Sequence, residues 1–404
     1  MSEFKSRVDR GQTATFSVID GDLLLDGGTA VAAGNVLEVR GTLYVRHRST
    51  VKGSMKAEGV KGDGDLTVVG DLEAEEVRLE EGASLRVEGN LKSESVEVPS
   101  TLEVGGASDV EDLRVGGSAE LHGDADVEKS KVGGTLKATS RLKGEEVRVG
   151  GTLEAKTVEC EEVQVGGTLI AERITAEHVK VGGTIRISGE AKIEELTVGG
   201  TAEVGTAKLN DARVGGTMES SGELQFGAID VGGRLKLGGG DGERITVGGI
   251  LEVGGGLTLS DRLSVGGSAK VGGDARARSI TVGGEFESQT ITAAEQLDVG
   301  RTLVTTGGAK AETVLIGRRG RVRGPIVGNK VRAGHDSEVE DVYASDLRLE
   351  EGCAAKNLFI GSGELGRGCS ISGRVLYKGQ LNAEKDVRFS SQPEKVSSLP
   401  SPPL

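Results

Sequence analysis

The residues of this 404-residue chain best suited to acid–base, nucleophilic or metal chemistry are four histidines and three cysteines. His47, His122, His178 and His335 are scattered, and no two sit at metal-ligand spacing. His178 precedes an inward Val179 and reads as outward or at a corner. Cys160, Cys353 and Cys369 form no CxxC pair, and all three read as structural. Cys160 falls at an inward phase, as a small core residue would. A disulfide framework is not suggested, which fits a reducing cytoplasm. No GxSxG, P-loop or HExxH is present. Paired glycines are frequent, but they follow strands and open no helix, so they are not phosphate cradles. No catalytic residue, metal ligand or cofactor is therefore assigned, and the chain is not expected to be an enzyme. The one concentrated charge is GRRGRVR at 317–323, where Arg318, Arg319, Arg321 and Arg323 form a candidate partner-binding basic patch that Lys330 and Arg332 extend.

The elements that would position such residues come from a repeat. In VGGTLEAKTVECEEVQV (149–165), Val149, Gly151, Leu153 and Ala155 share one face under a period of two. The alternation restarts after Lys156 with Val158 and Cys160 inward, and again with Val163 and Val165. Three short strands with two corners, and a third corner at the glycine pair, describe one turn of a triangular coil. Coils that stack make a β-solenoid. The signature valines recur at 115, 132, 149, 165, 181, 198, 214, 231, 247, 265, 282 and 299, one per coil. The residue two after each glycine pair forms an inward aliphatic row, from Ala119 and Leu136 to Phe286 and Leu303. The residue just before each member of that row is mostly threonine and faces outward. The paired glycines are expected to supply positive φ and to spare the corner a Cβ clash. The step from Val104 to Val115 is only two-thirds of a coil, which predicts that the signature moves from one corner of the triangle to another.

The fold class expected is all-β, a single-stranded triangular β-helix with about 16–18 residues per coil, a repeat of the stacked-array kind. It divides into a polar N-terminal tail at 1–14, a continuous solenoid at 15–389 whose regular Val-Gly-Gly array covers about 104–300, and a Pro/Ser-rich flexible tail at 390–404. Glycine is 67 of 404 residues without a Gly-X-Y period, which excludes collagen. Aromatic content is 2%, as a narrow coil filled by Leu, Val and Ala requires. The net charge of −14, with both signs mixed along outward positions, reads as a solvated surface and argues against nucleic-acid binding. The N-terminus has no apolar core of a signal peptide, and no run approaches the ~18 apolar residues of a membrane span. The polysaccharide-lyase and acyltransferase β-helices carry their sites on long loops, and this array has none.

The runs IDGDLLLDGG (19–28), GTLYVRHRSTVKGSMKAEGV (41–60), VVGDLEAEEVRLEEGASLRVEGNL (68–91), GRRGRVRGPIVGNKVRAG (317–334) and LRLEEGCAAKNLF (347–359) resemble the bactofilins, the polymer-forming cytoskeletal proteins. The resemblance implies a right-handed triangular β-helix, end-to-end assembly into filaments without nucleotide, and a scaffolding role in the cytoplasm, often near a membrane. The expected partner is the chain itself, with the tails reaching other proteins or the membrane surface. Physical chemistry points the same way. A terminal coil leaves backbone groups unpaired and an aliphatic core open. Phe16, Ile19 and Leu23 near one end, and Tyr377, Val387 and Phe389 near the other, are the candidate self-association residues. The rival expectation is a monomeric β-helical rod that presents a protein-binding surface.

Overall fold

The computed structural model describes residues 6–80 and 82–403. Residues 1–5, 81 and 404, which include the start of the expected N-terminal tail, lie outside the described residues. The chain divides into two compact units, Met1–Val204 and Gly205–Leu404. Each is a parallel β-solenoid, and no helix occurs among the described residues.

One coil of the first unit shows why. In Thr152–Val165 the buried side chains are Leu153 and Ala155, then Val158 and Cys160, then Val163 and Val165. The exposed or half-buried doublets Lys156-Thr157 and Glu161-Glu162 break the alternation, so the strand turns a corner at each. We call these inward pairs the first, second and third faces. The glycine corner is wider than the sequence suggests. Gly151 lies outside the core with Gly150 and Thr152, so Val149 and Leu153 belong to different faces. Every outward position keeps its side chain in water, and every inward position meets its own counterpart one coil away. Leu153 pairs in register with Leu136 and Leu169, and Val163 with Val147 and Val179. Where like stacks on like, as in these two rows, the aliphatic side chains pack with little change of volume from coil to coil.

The inward row predicted from the glycine signature is buried in both units. Ala119, Leu136, Leu153, Leu169 and Ile185 line the first, and Met218, Leu235, Leu251, Ala269, Phe286 and Leu303 the second. The shift of signature between corners is also real. Val104 pairs with Leu121 at the end of a first face, whereas Val115 pairs with Val132 at the end of a third. Most of the serines and threonines that enter the core find a carbonyl, whereas Ser108 and Ser130 bury hydroxyls that have no partner among the described residues. Ser220 donates to the Gly205 carbonyl at 2.9 Å, Ser288 to Gly273 at 2.8 Å and Thr305 to Gln289 at 2.7 Å.

Of the two purposes expected of the paired glycines, relief of a Cβ clash holds and positive φ does not. No Val-Gly-Gly glycine between 104 and 284 has positive φ. What excludes a side chain is the backbone one coil below. A Cβ on Gly167 would lie 2.6 Å from the Gly151 carbonyl oxygen, and one on Gly166 would meet the Gly150 carbonyl closer still. The same corner is laddered by hydrogen bonds, Gly166 N–H to Val149 O at 2.8 Å and Gly167 N–H to Gly151 O at 3.0 Å. Left-handed residues cluster instead toward the two ends of the chain. Gly11, Gly27 and Gly82 in the first unit, and Arg319, Asp336, Gly352, Gly368 and Asp386 in the second, mark tight turns after a third face.

Candidate assembly edges and partner surfaces

Each unit contributes one terminal coil. In the first unit, Ser6–Val8, Thr13–Phe16 and Val18–Ile19 lie on the third, first and second faces. Each pairs on one side only among the described residues, with Leu23–Asp26 or with Thr29–Arg46. In the second unit, Leu381–Ala383 and Arg388–Phe389 pair only with the coil beneath. The stretch expected to be a flexible C-terminal tail adds the strand Glu394–Lys395, which pairs with Leu376 and Tyr377. Six strands thus present unpaired N–H and C=O groups, the property that makes a strand edge a template for another chain.

The six residues predicted to meet at these edges divide by depth. Phe16 and Phe389 are half-buried and lie on edge strands, and Ile19 is buried on one. Val387 is half-buried in the turn that enters the last first-face strand. Leu23 is fully buried one coil in, covered by Ser6 and supported by Leu43. Tyr377 is likewise covered, by Lys395 of the last strand. Proximity in sequence to a terminus places a residue near an edge, but pairing decides whether it is on it.

The basic patch is split by corners. Arg318 and Arg319 occupy a turn closed by Gly320 N–H to Gly317 O at 3.1 Å, with Arg319 at φ 55°. Arg321 and Arg323 point outward from the first face, where Arg321 lies 3.6 Å from Glu338. Lys330 and Arg332 follow a further corner and do not extend that surface, because they belong to the turn into, and the outward side of, the third face. Neither Arg318, Arg319 nor Arg323 has an ion-pair partner among the described residues. Together with Arg301 and Arg367, the Arg318, Arg319 and Arg321 side chains rim an open concavity at the corner.

The histidines and cysteines are placed as buried or paired groups. His47 meets Asp26 at 2.8 Å and His335 meets Glu350 at 3.1 Å. His122 and His178 each face one glutamate, at 3.8 and 3.5 Å. The three cysteines are free and buried. Burial pushes the Cys160 thiol up to about 12. Cys353 and Cys369 stack one coil apart, with Sγ atoms 3.1 Å from the Gly334 and Glu350 carbonyls. Their mutual hydrogen bond raises the Cys353 thiol and draws Cys369 down to about 7. Among the described residues no group of three His, Cys, Asp or Glu is placed to hold a metal ion. No helix there is long and apolar enough to cross a membrane.

One surface feature escaped the reading of the sequence. At the corner between the second and third faces of the first unit, Glu58, Glu75, Glu94, Glu111, Glu128, Glu145, Glu161, Glu177 and Glu194 fall in one column. All nine are exposed, and none has an ion-pair partner among the described residues. With the residue after each, this edge holds fourteen acids against one lysine, a net of −13, when the whole chain carries −14. The charge is therefore not mixed evenly over outward positions. Elsewhere it is: Lys56 reaches Glu73 at 2.6 Å, Lys92 reaches Asp109 at 2.9 Å, and Arg186 reaches Glu203 at 2.8 Å, each one coil apart. The signal was available as a glutamate recurring once per coil, but the step is uneven and the column emerges only when the register of each coil is known.

No protein-family model matches the chain, no curated protein is significantly similar to it, and no solved structure matches it.

Proposed function

We propose that this chain is a structural protein that assembles end to end into filaments without nucleotide and acts as a cytoplasmic scaffold, as its resemblance to the bactofilins implies. The observation that carries the reading is the pair of open edges. Thr13–Phe16 and Val18–Ile19 at one terminus, and Leu381–Ala383 and Arg388–Phe389 at the other, lack a partner on one side. All pairing within each unit is parallel. A second copy that brings its first coil onto the last coil of another would continue the same ladder, with strands running in the same direction. Half-buried Phe16 and Phe389 would then leave water together, each worth about 1 kcal/mol of further apolar burial.

The test is negative-stain electron microscopy of the purified protein across a concentration series, without nucleotide or metal, alongside the Phe389→Arg variant. Filaments that lengthen with concentration and shorten in the variant are expected. Wild-type protein that remains as discrete particles at every concentration would overturn the reading. Filaments unchanged by Phe389→Arg would remove that residue from the contact. A second reading, a monomeric protein-binding scaffold, is favoured by one observation: the Arg318 and Arg319 guanidinium groups have no carboxylate partner among the described residues, at an exposed corner of an acidic protein. Discrete particles in the concentration series would turn attention there.

A further inference from the structure

The second face of the last coils departs from the rule that outward positions are polar. Its outward column runs Thr292, Lys310, Val327, Tyr343, Phe359 and Leu376 in register. The last four are apolar or aromatic. In the first unit the same column reads Glu38, Lys56, Glu73, Lys92, Asp109 and Asp126. Four apolar side chains on consecutive coils would expose a stripe to water, a feature that marks a binding surface in a soluble protein. Here it is not bare. Phe359 is only 5% exposed although its strand phase points it outward, so Leu358, Phe359 and Ile360 are buried in succession. Tyr343 stacks on Phe359 with ring centroids 4.7 Å apart and an interplanar angle of 26°. Burial raises the Tyr343 hydroxyl above its ordinary range.

What covers the stripe is the end of the chain. After the strand Glu394–Lys395, Val396 donates its N–H to the Tyr377 carbonyl at 2.9 Å. Leu399, Pro400 and Pro402 then line one groove with Tyr343 and Phe359. Val396 and Leu399 are half-buried while the serines between them are exposed. The segment reads VSSLPSPP, ending on Pro400, Pro402 and Pro403. Such a sequence favours the polyproline II form, whose ridges dock on aromatic grooves at low entropic cost. At ~3.1 Å per residue, residues 396–402 reach about 20 Å, or about four coil rises of ~4.8 Å. That is the number of coils from the last strand down to Val327.

We propose that this face is a docking groove for a leucine- and proline-rich peptide segment, and that the chain's own residues 396–403 occupy it as a strap. The strap stays joined to the terminal coil through Glu394–Lys395, so it meets the groove at the high effective concentration of a tethered ligand. The proposal does not rest on the filament reading: Glu394–Lys395, an open edge of the second face, only tethers the strap, and every other residue in it belongs to the side of the second unit.

The experiment measures binding of a fluorescently labelled peptide of residues 396–403 to three proteins: the full chain, the chain ending at Ser390, and the full chain carrying Leu399→Ser, Pro400→Ser and Pro402→Ser. Light scattering is followed in parallel, so that assembly is scored separately. Saturable binding to the truncated and triply substituted chains is expected, with affinity for the unaltered chain at least about tenfold weaker because the strap competes. Tyr343→Ser in the triply substituted chain should abolish it. The triple variant keeps the last strand, so it decides the matter if truncation unfolds the terminal coil. Equal binding to the unaltered and substituted chains, or no binding to the substituted chain, would overturn the proposal whatever the scattering shows.

Discussion

Phe226 and Gly242 sit in register on the inward side of the second face, one coil apart. A Cβ on Gly242 would lie 2.6 Å from the Phe226 Cζ and nearer to two other ring atoms. The glycine-rich GGGDGER at 238–244 is thus partly a hole filled by a ring, a large and a small residue sharing the volume of two medium ones. Gly242→Ala is expected to destabilise the second unit by about 1–3 kcal/mol through overpacking. Phe226→Leu should lose less, and the double variant should recover part of the loss. Chemical denaturation of the four proteins measures the coupling, which should reach about 1 kcal/mol for residues in contact. A cycle that closes with no coupling would show that the ring does not use the glycine's space.

Cys160 allows a second test at a single side chain. Its thiol is raised from 9.0 to about 12 by burial, so the folded state holds the proton more tightly than the unfolded one. The stabilisation is fully present below pH 9 and is lost as pH rises toward 12. Between those limits the wild type should lose up to about 1.4 kcal/mol per pH unit more than Cys160→Ala, in which the titration is absent. Parallel alkaline denaturation curves for the two proteins would refute the assignment.

The element that carries the charge is a corner column. Nine glutamates stacked one per coil lie at the ~4.8 Å separation of neighbouring strands, where like charges directly opposite destabilise a sheet. Their cost is electrostatic and exposed, so salt should relieve it within the ~10 Å screening length at about 0.1 M. Raising sodium chloride from low to moderate concentration is expected to raise the melting temperature. Glu128→Lys, which places a cation between Glu111 and Glu145, should stabilise by about 0.5 kcal/mol at low salt and flatten the salt dependence. A melting temperature insensitive to both would show that the side chains splay far enough apart to avoid one another. The neighbouring column of the second face shows the alternative arrangement, with Lys56, Glu73, Lys92 and Asp109 alternating in sign.

At the scale of the molecule the two units share one construction and differ in what their surfaces carry. The first has the glutamate edge. The second has the Arg318 and Arg319 turn, the apolar stripe and the strap across it. Each unit ends in a coil whose strands are paired on one side only among the described residues. In a repeat protein, stability is close to a sum of coil–coil interfaces, so a terminal coil has half the partners of an internal one. Docking of another copy there adds an interface of the kind the rest of the chain already uses, which is why the filament reading asks for no new chemistry.

Much of this was legible in the amino-acid order because the forces that set a coil are local. Inward and outward positions alternate along each short strand, corners fall where the alternation resets, and each inward residue finds another inward, mostly apolar residue one period away. Leu153, Val158 and Val163 could therefore be assigned to three faces from 149–165 alone. The tertiary structure decided whatever depends on residues meeting across the repeat or across the chain. Uneven coil lengths hide the glutamate column until register is known. The corner glycines answer to a carbonyl one coil below, so their own φ gives no sign of it. Leu23 and Tyr377 are covered because Ser6 and Lys395 pair over them, and Phe359 is buried in a groove shared with Leu399 from the end of the chain. Periodicity constrains neighbours in a coil; it carries no information about which strand is last, or about where the chain goes after it.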